Sequence, residues 1–80
     1  MNQKIFEELK QIVCDYLGDD KIEIKEDSIL TDDLGLSSLD LISIVGSVED
    51  AFNIEVQDKD VAEIRTIKDV VDYIEKKQKA

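Results

Sequence analysis

Apolar side chains recur at intervals of three and four residues in three separate stretches of this 80-residue chain. That spacing gathers them on one face of an α-helix but scatters them over both faces of a strand. Most of the chain is thereby committed to amphipathic helices that must bury their stripes against one another. In the first stretch, residues 2–17, the stripe is Ile5, Leu9, Ile12, Val13 and Tyr16 or Leu17, and Gly18 follows as a stop. The second begins at Ser37 or Ser38 and runs to about Phe52, with Leu41, Ile44 or Val45, Val48 and Phe52 turned inward and Asn53 ending it. Ser37 suits the N-cap, and Asp40, three residues on, completes a capping box with Asp in place of the usual Glu. The third runs from Ile67 to about Lys77 behind a Thr66 cap. Its stripe is Ile67, Val70, Val71 and Ile74, and Lys76 and Lys77 lie at the negative end of its dipole.

The connections are less periodic. Lys21-Ile22-Glu23-Ile24-Lys25 alternates as a strand would, yet a single short strand has nothing to pair with. Residues 19–36 are therefore expected to form a long ordered loop pinned to the core by Ile22, Ile24, Ile29, Leu30 and Leu34, and loops of that length tend to be functional. Ile54-Glu55-Val56 is expected to be extended, and Asp58 to cap a single helical turn through about Ala62. Gly46, inside the second helix, costs on the order of 1 kcal/mol relative to Ala, which suggests a close approach to the backbone there. The absence of proline agrees with helix over sheet. The expected fold is all-α: a small bundle of three main helices plus one short helix, with a long loop between the first and second. Residues 1–80 are expected to form one domain, near the smallest size that a single core stabilises unaided.

Composition narrows the chemistry. The chain has no His, so it holds neither a Ser-His-Asp nor a Cys-His pair and no His-containing zinc site. Cys14 is the lone cysteine, lies in an apolar stretch, and reads as a small buried hydrophobe. The net charge of −10 argues against nucleic acid and anionic membranes as partners. No 18-residue apolar run or signal peptide is visible, so a soluble, cytoplasmic monomer without membrane insertion is expected. No base lies between Lys25 and Lys59, a stretch with nine acids: Glu26, Asp27, Asp32, Asp33, Asp40, Glu49, Asp50, Glu55 and Asp58. One sign of charge over so long a stretch is either a solvated face or a surface that steers basic partners.

Two motif-like segments fail on inspection. Gly35-Leu36-Ser37-Ser38-Leu39 has the outline of a nucleophile elbow, but the second Gly is missing and no His supplies a base. Asp15 to Glu26 spans the twelve residues of an EF-hand loop. Leu17 stands at its third position and Gly18 two places early, so no metal site is expected.

The segment Asp33-Leu34-Gly35-Leu36-Ser37-Ser38-Leu39-Asp40 resembles the phosphopantetheine attachment motif of acyl carrier proteins, D-L-G-x-D-S-L-D. Asp33, Leu34, Gly35, Ser38, Leu39 and Asp40 match, and the modified serine falls on Ser38. The resemblance continues through Glu49-Asp50-Ala51-Phe52, Ile54-Glu55-Val56 and Asp72-Tyr73-Ile74. It implies a covalent 4′-phosphopantetheine arm on Ser38, taken from coenzyme A, with Gly35, Ser37, Leu39 and Asp40 completing the motif. It also implies that the chain is a carrier and not an enzyme, bearing acyl groups as thioesters for fatty-acid or related lipid or polyketide synthesis. The implied partners are a phosphopantetheinyl transferase and acyl-loading, condensing and other acyl-processing enzymes with basic patches. Asp32, Asp33, Asp40, Glu49 and Asp50 are the candidate docking acids.

Leu34 and Leu39 are expected to anchor loop and helix to the core beside the serine. Ile42, Val45, Val48, Phe52, Val56, Val61 and Ile64 are candidate linings for an acyl chain. Ser37 departs from the motif: it can cap the helix as the usual Asp does but lacks the charge the transferase reads. An aminoacyl or peptidyl carrier, or an acidic helical binding module without a prosthetic group, are the alternatives.

Overall fold

The computed structural model describes residues 2–79 and places four helices among them: α1 (Gln3–Leu17), α2 (Ser38–Phe52), α3 (Asp58–Val61) and α4 (Ile67–Lys79). The long helices start where their local chemistry dictates, and α1 and α2 stop on the same grounds. The Asn2 side chain accepts from the Ile5 N–H at 3.1 Å to open α1. Gly18 closes it in the left-handed region at φ 69°, donating its N–H to the Cys14 carbonyl at 2.9 Å. Asn53 does the same for α2 at φ 55°. At α4, Thr66 Oγ1 accepts from the Asp69 N–H, while the Asp69 carboxylate accepts from the Thr66 and Arg65 N–H groups, all near 3.1–3.2 Å.

The short turn differs from expectation. Gln57, not Asp58, is the N-cap of α3, no side chain bonds to that cap, and Asp58 is the first helical residue. Tyr73 of α4 holds α3 instead, its hydroxyl donating to Asp60 at 2.6 Å.

The core joins the stripes of three helices. Ile5, Leu9, Val13 and Cys14 of α1, Ile44 and Val48 of α2, and Ile67, Val71 and Ile74 of α4 are buried together. Leu17 packs against this cluster, whereas Tyr16 turns outward and is 42% exposed. Burial pushes the Cys14 thiol pKa up, as befits a cysteine used for packing.

The long connection is a pinned loop. Ile24, Leu30, Leu34 and Leu36 are buried, and Ile22 packs against them. Its backbone is stitched to the end of the α3–α4 connection and the start of α4 by Leu30 N–H to Arg65 O (2.9 Å), Ile67 N–H to Ser28 O (3.1 Å) and Lys68 N–H to Glu26 O (2.8 Å). An isolated bridge between Ile29 and Thr66 is all the β pairing among the described residues. One expectation fails: a Cβ built on Gly46 meets nothing within 4 Å among the described residues.

Candidate prosthetic-group attachment site

The loop delivers its serines to the surface by burying its leucines. Leu34 and Leu36 both enter the core, at 6% and 3% exposure. Gly35 between them takes φ 67°, a conformation other residues adopt only with strain. The Leu36 N–H donates to Leu30 O at 3.1 Å, and the Asp33 carboxylate accepts from the Ile29 N–H at 2.7 Å, closing the turn from below. Chain direction and height are thereby set before α2 begins.

Ser37 is the N-cap of α2 in a complete capping box. Its hydroxyl accepts from the Asp40 N–H at 3.2 Å, and Asp40 Oδ2 accepts from the Ser37 N–H at 2.8 Å. The Ser37 carbonyl takes the Leu41 N–H at 3.0 Å. Ser38, the first helical residue, is exposed. Its own N–H and that of Leu39 find no acceptor among the described residues, leaving two donors open at the positive end of the helix.

The motif residues divide on which way they face. Leu39 is 77% exposed and anchors nothing. With 3.6 residues per turn, Leu41, Ile44 and Val48 share the inward face, and Leu39 lies some 200° round from Leu41. The anchoring expected of Leu39 belongs to Leu36, 3% exposed, which the sequence reading did not include among the loop residues that pin the core.

Asp40 is held from three directions. Besides the capping box, its Oδ1 accepts from the Tyr16 hydroxyl of α1 at 2.5 Å. The Ser37 N–H, then Tyr16, keep its carboxyl below the ordinary range, and the bond to Asp40 raises the Tyr16 pKa. The other docking candidates are spread out. Asp33 is engaged with Ile29, and Glu49 is half-buried with its carboxylate accepting from the Val56 N–H at 2.9 Å. Nine residues of helix turn Glu49 half a revolution from Asp40. Asp32 and Asp50 are exposed.

Ser38 stands on the rim of a cleft of about 410 Å³ between the loop, α2 and the α3 region, with Ile29, Leu41, Ile42 and Ala62 among its walls. Leu30, Leu41, Val61 and Ile64 also border a deeper, wholly apolar cavity of about 30 Å³. Val45, Val48 and Val56 line that cavity as expected of them, with Tyr73 and Ile74 as walls the sequence reading did not include. Ile42 sits at the outer cleft, 62% exposed. Phe52 borders neither space; it lies at the far end of α2 near Asn2 and Ile5.

The phosphopantetheine attachment site family matches residues 7–74, from the second turn of α1 into the last turns of α4. The acyl carrier protein of Thermotoga maritima is 43% identical over 75 residues, covering 94% of this chain and 93% of that one. The chain belongs to the acyl carrier protein family. The acyl carrier protein of Clostridium acetobutylicum is 41% identical over 70 residues, spanning 88% of this chain and 91% of the relative. A crystal structure of an acyl carrier protein from T. maritima superposes with a TM-score of 0.85 at 28% identity, covering 96% of this chain and 89% of that chain.

Membership brings the prosthetic group with it: 4′-phosphopantetheine, covalently attached. The residues present fit that group. An exposed hydroxyl begins a helix, two open N–H groups lie beside it, and no carboxylate occupies that position because Asp40 is tied back to Ser37 and Tyr16. Among the described residues no helix is long and apolar enough to cross a membrane.

Proposed function

We propose that Ser38 is the attachment residue and that the chain works as a substrate-tethering carrier rather than a catalyst, serving fatty-acid or related lipid or polyketide synthesis in the cytoplasm. The observation that carries this reading is the placement of exposed Ser38 on the rim of a cleft that shares walls with an apolar cavity. When bound, the arm supplies a terminal thiol that holds an acyl group as a thioester.

The chain's own residues do the rest. The Ser37–Asp40 box keeps the helix start formed, so that Ser38 is presented in one orientation to the transferase. The open N–H groups of Ser38 and Leu39 favour an anionic phosphodiester at that end of the helix. The cavity of about 30 Å³ is far smaller than an acyl chain, so sheltering one requires its walls to part. The α3 side is the one to yield: that helix is four residues long with no side-chain cap. Partners with basic patches would approach over Asp32, Asp50 and the exposed Leu39 and Ile42, where charge steers encounter and the apolar side chains supply contact area.

The deciding experiment is intact mass after incubation with coenzyme A and a phosphopantetheinyl transferase. A single phosphopantetheine adduct is expected on the native chain and none on Ser38→Ala. No adduct on the native chain, or one that survives Ser38→Ala, would sink the assignment.

A further inference from the structure

The start of α2 is the least supported part of the site. Ser37, Ser38 and Leu39 are all exposed, and the first inward residue of the helix, Leu41, is only half-buried. The local order there rests on the capping box, and the box turns on one carboxylate. Asp40 divides its two oxygens: Oδ2 accepts from the Ser37 N–H at 2.8 Å and Oδ1 from the Tyr16 hydroxyl at 2.5 Å. Without the second partner, the carboxylate has only the surface box to orient it and is free to turn toward water.

Tyr16 comes from a different part of the chain, 24 residues earlier, and from the helix best fastened to the core. Leu9 and Val13, two turns and one turn before it on α1, are 1% and 0% exposed. Its ring contributes little to that core, being 42% exposed, so burial does not explain why its hydroxyl reaches Asp40. The bond links a rigid element to the residue that orients Ser37, and through it the backbone that carries Ser38.

We propose that Tyr16 is a positioning residue for the attachment site, which, by clamping Asp40 to α1, holds the first turn of α2 and the Ser38 hydroxyl in the orientation the transferase requires. This rests on the assignment of Ser38. A direct contact between Tyr16 and the transferase is the competing account, and the two differ in what they change.

The test uses the full apo chain and Tyr16→Phe, which keeps the ring and removes the hydroxyl. By amide hydrogen exchange, the Ser37 N–H exchanges about 3- to 10-fold faster in the variant, the ratio that one hydrogen bond of ordinary net strength sustains, while amides of α4 are unchanged. In phosphopantetheine transfer, kcat falls about 3-fold or more with the KM for the chain unchanged. In an Asp40→Ala background, Tyr16→Phe has no additional effect on either measurement.

Unchanged Ser37 exchange in Tyr16→Phe overturns the proposal, as does a KM that rises at constant kcat, the mark of a direct transferase contact. The exchange measurement needs no transferase. If Ser38→Ala still accepted the arm, the attachment assignment would fail on its own, and the Ser37 amide would separately decide whether Tyr16 orders the helix start.

Discussion

Gly46 and Gly18 offer the same substitution with opposite expected signs. Gly46 lies inside α2, where Gly is less favourable than Ala by about 0.8–1.0 kcal/mol. An added Cβ there meets nothing within 4 Å, so no packing clash subtracts from the gain. Gly46→Ala should stabilise the chain by about 1 kcal/mol, or roughly 4–8 °C in Tm for a domain of this size. Gly18 is equally open, with nothing within 4 Å of an added Cβ, but its φ is +69°. The left-handed conformation costs an L-residue roughly 1–2 kcal/mol, only partly offset by the lower entropy of an unfolded chain with Ala.

Gly18→Ala should therefore destabilise by about 1 kcal/mol, leaving the two variants about 2 kcal/mol apart. Urea titrations followed by circular dichroism, with a common m-value, measure both. A loss of stability in Gly46→Ala, or a shift of the same sign in both variants, would refute the argument that backbone conformation alone separates these positions.

Two further outcomes follow from the site. Leu36→Ala removes a side chain that is 3% exposed and should cost about 3 kcal/mol, whereas Leu39→Ala, at a position 77% exposed, should stay within about 0.5 kcal/mol of the native chain; equal losses in denaturant titrations would contradict the division between them. The Asp40 and Asp69 carboxyls are held below the ordinary range, by the Ser37 and Thr66 backbone N–H groups first of all, so the unfolded chain binds protons at a higher pH than the folded one. Their contribution is present above the usual Asp range, about pH 4, and is lost as pH falls through the folded values; Asp69→Asn should flatten the acid limb of a Tm-against-pH curve, and an unaltered limb would count against it.

Much of this molecule was legible without coordinates. The bounds of α1 and α2 follow from the intervals Ile5–Leu9–Val13 and Leu41–Ile44–Val48 together with Gly18 and the Ser37–Asp40 box, all of which act over a few residues. The loop between them was readable as a pinned loop because its leucines and isoleucines formed no helical stripe, and its one alternating run, Lys21–Lys25, had no strand to pair with. The place of Ser38 at the head of α2 was readable from the Ser37 cap before it. Less visible was the extent of α4, which continues to Lys79, past the last apolar residue of its stripe, on polar and charged residues alone.

What the sequence by itself determined is therefore local: three amphipathic helices, their caps, and a serine at the first position of the second. Only the tertiary structure decided which side chains around that serine serve the core and which face outward. Leu36 goes in because the Leu30–Arg65 and Leu36–Leu30 backbone bonds fix the height of the loop before α2 begins, and Leu39 goes out because it lies some 200° round that helix from inward-facing Leu41. The acids of the charged stretch likewise separate by what holds them. The Asp33, Asp40 and Glu49 carboxylates accept from the Ile29 N–H, the Tyr16 hydroxyl and the Val56 N–H, while Asp32 accepts only from the hydroxyl of its neighbour Thr31, at 3.4 Å, and Asp50 is exposed. Residues 16 and 40 meet through packing between helices, and no rule of spacing along one helix reaches across 24 residues.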